Sequence, residues 1–404
     1  MKRDPTRLFI IPTMLLALQH QSSALHSAFR WTRLLRQHPL SSSASASDLI
    51  DDFAPHPDVQ DSYPPYDPSR PYFPIYYNDV YEVNLPAGHR FPMDKYRRVR
   101  HLVQKSIDNT SERALVQTQF SVSPLASWND LVTTHAPDYV ERFLRGCQTE
   151  AELRNVGFPW SLAGVKRSLS STGGTVAAAC AVCEAQQQRQ QQMSKDSRHH
   201  HPIWAAHLAG GTHHAFYDRG EGFCVFSDIA VAANVVQIKY PHIQRILILD
   251  LDVHQGNGNA VLFQGRPDVV TFSMQCHANY FSKKEQSDLD VELPVGCNDD
   301  TYLATLRHWL KQIERKGGSF DMVFYQAGVD VLEHDRLGRM NLTAEGVKQR
   351  NGLVFDFCMS KNLPLVITMG GGYPRNNEWS PIIDAHAGVY LEAHQYLIKH
   401  AAQQ

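Results

Sequence analysis

Several things are scarce in this 404-residue chain, and each scarcity narrows what it can be. Charge of one sign is not in excess: 39 Lys and Arg against 41 Asp and Glu leave a formal charge of −2. Nucleic-acid affinity rests on a basic surplus, so no direct nucleic-acid partner is expected. Cysteine is sparse as well, with 7 scattered residues, an odd number that argues against a disulfide framework. Cys180 and Cys183 form one C-x-x-C in an alanine-rich helical stretch with no second pair, and read as helix packing rather than a metal site. No apolar run reaches the roughly 18 residues that cross a bilayer, so no span is expected in the mature chain. What remains is ample core material. The hydrophobic set is 43% and the charged set 20%, and at about 150 residues per domain the length allows one large domain or two ordinary ones.

Acid is absent from Pro5 through Ser47. Arg3 and Arg7 precede a short apolar run, Leu8 to Leu18, and small residues follow at Ser22, Ser23 and Ala24. That is the shape of a secretory signal. Arg30, Arg33, Arg36 and the run SSSASAS then give a basic, serine-rich stretch like an organelle transit peptide. Residues 1–50 are therefore expected to be a targeting segment, plastid first and mitochondrion second. Without a presequence the chain would be nuclear or cytoplasmic. Pro, Asp and Tyr dominate 51–77, read as a linker, and a catalytic domain is expected over 78–404. The Gln- and His-rich piece at 186–201 reads as a disordered insertion, its three adjacent histidines too close to converge on one ion.

From Ile203 the chain repeats a nearly continuous apolar run, a glycine-rich polar turn and a helical segment. The runs lie at 203–209, 246–249, 269–274, 322–327 and 363–369, with helices expected near 228–240, 300–316, 343–360 and 379–400. Continuous hydrophobicity marks strands covered on both faces, so the fold class is α/β with a predominantly parallel multi-stranded sheet. Such sheets bind ligands beyond the carboxyl ends of their strands. Four of those ends read GGTHH (210–214), DLDVHQGNG (250–258), QAGVD (326–330) and GGGY (370–373).

Asp252 and His254, two apart, project to one side of an extended segment, and Asp330 joins them from another strand end. One imidazole and two carboxylates with a vacant position suit catalytic zinc or iron(II). His213 and His214 offer an acid–base pair, Asp250 and Asn257 orienting partners, and Tyr373 a donor to a developing oxyanion. Together these residues read as metal-assisted amide hydrolysis.

At this point the motifs resemble a known family. HRFPMDKY (89–96), GFPWS (157–161), STGGT (171–175), LAGGTHHAF (208–216), GFCVFSD (222–228), DLDVHQGNG (250–258), QSDLDVELP (286–294), AGVDVLEHDRLGRMNLT (327–343) and GGGY (370–373) are similar to histone deacetylases, within the arginase-like superfamily. The wording HQGNG, DVLEHDRLG and GTHH is closest to the class IV members. The resemblance covers about four-fifths of the chain and implies an arginase-like fold with helices on both faces of the sheet. It implies Zn²⁺ on Asp252, His254 and Asp330, with His214 as general base, His213 as acid or electrostatic partner, and Tyr373 polarising the carbonyl. Asp250 would orient His213. Gly222, Phe223, Tyr280, Phe281 and Leu337 would line an acyl-lysine tunnel, and a structural K⁺ would sit near Asp250, Asp252 and Ser273.

Two departures stand out. Asn257 replaces an aspartate common behind the second histidine, and an amide does less to raise imidazole basicity. Pro137 occupies a rim position, in HAPDYV (135–140), where an aspartate grips substrate backbone. The expected activity is zinc-dependent deacylation of ε-acyl-lysine in proteins. The rival activity is hydrolysis of acetylpolyamines or other small acylated amines, and a silent acyl-lysine-binding scaffold is the non-enzyme alternative.

Overall fold

Continuous apolar runs put hydrophobic side chains on both faces of a strand, and the sheet they build is buried on both. The computed structural model describes residue 50 and residues 53–192, 201–279, 283–316 and 318–404. Eight strands, β1 (Ile75–Tyr77), β2 (Phe120–Val122), β3 (Trp204–His207), β4 (Ile246–Asp250), β5 (Val269–Cys276), β6 (Leu289–Leu293), β7 (Met322–Gln326) and β8 (Leu365–Thr368), form one sheet in the order β2-β1-β3-β8-β7-β4-β5-β6. Every pairing is parallel. Alternate residues sort to the two faces. Leu247 and Leu249, Val323 and Tyr325, and Leu365 and Ile367 join one core cluster, while Ile246, Ile248, Met322, Phe324 and Val366 are buried outside it.

The helices are α1 (Lys95–Asp108), α2 (Trp128–Leu131), α3 (Pro137–Leu144), α4 (Glu150–Val156), α5 (Leu162–Gln192), α6 (Asp228–Lys239), α7 (Asn257–Leu262), α8 (Asp299–Lys316), α9 (Ala344–Ser360) and α10 (Ser380–Ala402). They cover the faces as two groups. α5 packs on α6 and on β3, whereas α8, α9, α10 and α1 pack in series. None of the described helices is long and apolar enough to cross a membrane. Cys180 and Cys183 are free, buried thiols on α5.

Two stretches differ from the sequence expectation. The second half of the supposed linker is inside the fold: Tyr72, Phe73, Ile75 and Tyr76 are buried and β1 lies between β2 and β3. Proline does not prevent this, because Pro71 and Pro74 need only accept, from Gln117 N and Ala206 N at 2.9 and 3.0 Å. The supposed insertion at 186–201 begins as helix, since α5 continues to Gln192 with Arg189 bonded to the His201 carbonyl. His199 and His200 lie outside the described residues, as do residues 1–49. His201 stacks edge-on against His400, 5.8 Å between centroids.

Candidate metal centre and active site

The sheet order places β3, β8, β7 and β4 side by side, so the four polar strand ends noted above open onto one place. Asp252 and His254 follow β4, and Asp330 follows β7. One ligand atom from each lies within 4.8 Å of the others, and all three residues are buried. His254 Nδ1 is 3.2 Å from Asp252 Oδ1 and 3.1 Å from Asp330 Oδ2. Burial opposes protonating this imidazole, yet the bonds and charges of the two carboxylates outweigh it and push its pKa up to about 10. A pocket with that field draws in a cation, and its one nitrogen and two oxygens are a donor set that fits zinc or iron(II).

Backbone amides aim the carboxylates. Val253 N donates to Asp330 Oδ1 at 2.9 Å, and Gly371 N to Asp252 Oδ2 at 2.8 Å. The approach of the GGGY turn demands glycine, because a Cβ on residue 371 would lie 2.0 Å from Asp330 Oδ2.

His213 and His214 stand beside this group on the loop after β3, their rings 4.0 Å apart. His213 Nδ1 donates to Asp250 Oδ2 at 2.7 Å, and His214 Nδ1 to Asn257 Oδ1, also at 2.7 Å. The rings are alike but their backing is not. Burial disfavours charge on both, and on His214 the nearby His213 and His254 add to it, holding its pKa well below the usual range. On His213 the charges of Asp250 and Asp252 win over burial and push it up to about 9. His213 is therefore the readier of the two to carry a proton, and with Nδ1 donating to Asn257 the lone pair of His214 lies on Nε2. Asp228, at the start of α6, fixes their loop by accepting from Gly211 N (2.9 Å), Thr212 N (2.7 Å) and the hydroxyls of Thr212 and Thr175 (2.7 and 2.6 Å).

The wall beside the pair is held under strain. Phe223 adopts φ +68°, unusual for a bulky residue, after Gly222 at +56°. Their amides are pinned to Val156 O and Asn155 O at 2.8 and 2.9 Å. Phe91 and Phe158 pack on the Phe223 ring at 5.2 and 5.3 Å, and Tyr373 lies 6.3 Å from it. Asp335 ties the opposite wall to the tyrosine. Its Oδ1 accepts from Leu337 N and Gly338 N at 2.7 Å each, and its Oδ2 from Tyr373 N at 2.6 Å. Behind the tyrosine, buried Lys95 donates to the carbonyls of Gly370 and Gly372 at 3.0 and 3.3 Å, and burial pulls its pKa down to about 8.

The structure thus brings together Asp250, Asp252, His254, Asn257, His213, His214, Asp330 and Tyr373, with Gly222, Phe223 and Leu337 alongside. Ser273 is the register partner of Asp250 on β5. Tyr280 and Phe281 lie outside the described residues. Pro137 opens α3, Asp138 pairs with Arg142 on the surface, and the segment that packs on Phe223 is 155–158. Sequence reasoning assigned no role to Asp228, Asp335, Lys95 or Phe158. Each falls inside a motif already quoted, which was the available signal.

The histone deacetylase domain matches residues 89–388, and the chain belongs to that family of hydrolases. An uncharacterized protein of Picosynechococcus sp. is 40% identical over 304 residues, 75% of this chain and 93% of that protein. Histone deacetylase 2 of Arabidopsis thaliana is 29% identical over 325 residues, 75% of each chain. The crystal structure of the HDA15 HD domain superposes with a TM-score of 0.61 at 19% identity, covering 81% of this chain and 89% of that one, a likeness of fold.

Proposed function

We infer that the protein is a zinc-dependent deacylase that hydrolyses the amide of N-ε-acyl-lysine in proteins. The observation that carries this reading is the tandem pair, His213 anchored by a carboxylate and His214 by an amide, beside a buried Asp–His–Asp group. Asp252, His254 and Asp330 would hold a zinc ion, which would supply Lewis acidity at the scissile carbonyl. His214 Nε2 accepts the proton of the attacking water as the new C–O bond forms. The Tyr373 hydroxyl donates to the carbonyl oxygen as negative charge gathers there. His213, backed by Asp250, stabilises that charge, and the proton held on His214 passes to the lysine nitrogen as the C–N bond breaks. Products are a free ε-amine and a carboxylate. Phe223 and Leu337 enclose the acyl-lysine stem and keep bulk water away.

The motif wording HQGNG, GTHH and DVLEHDRLG supports a class IV-like member, and Asp250, Asp252 and Ser273 are assigned a structural K⁺. The basic N-terminus supports an organellar address, tested by locating a tagged full-length chain; a purely nuclear signal would discard it. A second reading, hydrolysis of small acylated amines, gains from Pro137, which offers no carboxylate at the rim position where family members grip substrate backbone. The deciding experiment measures metal content of the purified full chain and its turnover of acetyl-lysine peptide, fatty-acyl-lysine peptide and acetylpolyamine. Turnover of either peptide with about one zinc per chain supports the first reading. Turnover of acetylpolyamine alone transfers the assignment to the second.

A further inference from the structure

Many arginines on this surface meet a carboxylate. Arg97 and Arg98 pair with Asp94, Arg142 with Asp138 and Glu152, and Arg266 with Asp268. On the Tyr373 side of the acyl-lysine tunnel their partners are of another kind. Arg336 donates to the Arg90 carbonyl, Arg375 to the Asp335 carbonyl, and Arg339 to the Ala278 carbonyl at 3.2 Å. Arg90, Arg336, Arg339 and Arg375 are all exposed. A carbonyl fixes the position of a guanidinium without cancelling its charge, so the positive field is left facing solvent.

The loops that carry these groups put the field at the mouth. Arg336 and Arg339 bracket Leu337, and the Arg336 amide donates to the Tyr373 carbonyl at 3.0 Å. Arg375 follows Tyr373 by two residues, on a segment bridged to Asp335 through Pro374. The acids of the same loops offset it only in part. Asp335 is turned inward to the amides of Leu337, Gly338 and Tyr373. That leaves Glu333, 3.6 Å from His334, and Glu378 against four guanidinium groups. On the Phe223 side Glu221 and Asp218 stand against Arg219 alone. A chain lying over the mouth therefore meets a positive wall on one side.

We propose that this arginine wall selects the substrate: it favours acyl-lysine with Asp or Glu beside it in the chain and turns away polycationic amines. The proposal deepens the deacylase reading above and rests on it. Acylation removes the charge of the lysine itself, so the wall reads the charges of its neighbours. An acidic neighbour is attracted before it makes contact, and salt screens that attraction. An acetylpolyamine keeps positive amines along its length and is repelled by the same wall, which supports a protein substrate over a small amine.

The test gives the full-length protein three acyl-lysine peptides that differ only in carrying Asp, Ala or Lys on either side of the acyl-lysine. Turnover yields KM and kcat, and fluorescence anisotropy yields Kd, each at low and at high salt. At low salt the Asp peptide has KM and Kd about three- to tenfold below the Ala peptide, the Lys peptide lies as far above, and kcat is alike for all three. Near about 0.5 M salt the spread shrinks to within about twofold. Arg339→Gln combined with Arg375→Gln flattens the spread at low salt, whereas Arg339→Lys combined with Arg375→Lys keeps it. A merely structural role would move all three peptides together. Equal KM and Kd for the three peptides at low salt, or a spread that survives the glutamine pair, overturns the proposal. If the glutamine pair does not fold, the salt series on the parent decides: a spread that shrinks supports the wall, and one that persists at high salt overturns it. Turnover of none of the peptides removes the deacylase reading, and the order of Kd then decides the charge preference alone.

Discussion

Two regions of this fold bury pairs of histidines, and they treat them in opposite ways. Beneath the tandem-histidine loop, His207 and His135 are fully buried with both nitrogens satisfied. The Thr175 hydroxyl gives its hydrogen to Asp228 at 2.6 Å, so it accepts from His207 Nδ1 at 2.9 Å, and Ser123 Oγ meets Nε2 at 3.1 Å. His135 donates to the Phe216 carbonyl at 2.8 Å and accepts from Ser227 N at 3.0 Å. Burial holds these rings down, to about 3 and about 4, and both are neutral scaffold. In the site above, His213 and His214 are each anchored through Nδ1, one by an anion and one by an amide. Burial is common to all four. What separates them is the anchor: of the four, His213 is the one held by a carboxylate.

The largest effect that can break this comparison is a rate. His214→Ala removes the neutral base, and kcat falls about 10²–10⁴-fold with zinc content unchanged. A loss under about tenfold would remove His214 from the chemistry and weaken the contrast with His207.

Next in size is an acid titration of stability. His135 and His207 have folded pKa values below the unfolded 6.5, so their contribution is complete above pH 6.5. It is lost as pH falls toward about 4 and about 3, because only the unfolded chain takes up the protons. The slope is about 1.4 kcal/mol per pH unit for each histidine. His213, raised to about 9, is protonated in both states below pH 6.5 and adds no slope there. Urea unfolding at pH 7, 6 and 5 in the presence of chelator measures it, and a flat profile would show that these rings are not held neutral.

Smaller again is Thr175→Val. It leaves His207 Nδ1 and Asp228 Oδ2 without their shared partner, at about 1–3 kcal/mol for a buried group left unpaired. Asp228 retains its bonds from Gly211 and Thr212, so the pH–rate profile should stay in place while thermal stability drops. A shifted profile would mean that the two regions are one network.

What was legible in the sequence follows the same division. Strands β3, β4, β5, β7 and β8 were readable because strands buried on both faces are continuously apolar, and their polar ends then named the ligand group and the tandem pair. β1 was hidden by Pro71 and Pro74, which matter less where only carbonyls are needed. β6 was hidden because Asp290 and Glu292 interrupt the run of an edge strand. Asp228 and Asp335 were not assigned because each acts on backbone amides elsewhere in the chain, as Asp335 does on Tyr373 N, and one polar residue carries no record of which distant amide it will meet. Their meaning appears only when hydrogen bonds are counted in the folded chain.

The finest test exchanges the anchor itself. Asn257→Asp puts a buried carboxylate behind His214 in place of an amide, matching the arrangement of Asp250 behind His213. If anchor charge sets protonation, the His214 pKa rises, and since the base must be unprotonated the acidic limb of kcat/KM moves to higher pH, by about one unit or about 1.4 kcal/mol. On the acidic limb the variant is slower because more of its base is already protonated. Well above the new limb it equals or exceeds the parent, because a stronger base takes the proton more readily. Asp250→Asn should act on the other partner with the opposite sign: His213 loses its counter-charge and the basic limb moves to lower pH. A pair of variants that shifts the two limbs toward one another locates the asymmetry of the site in its anchors. Limbs that stay put would locate it in burial, which the two rings share and which therefore cannot tell them apart.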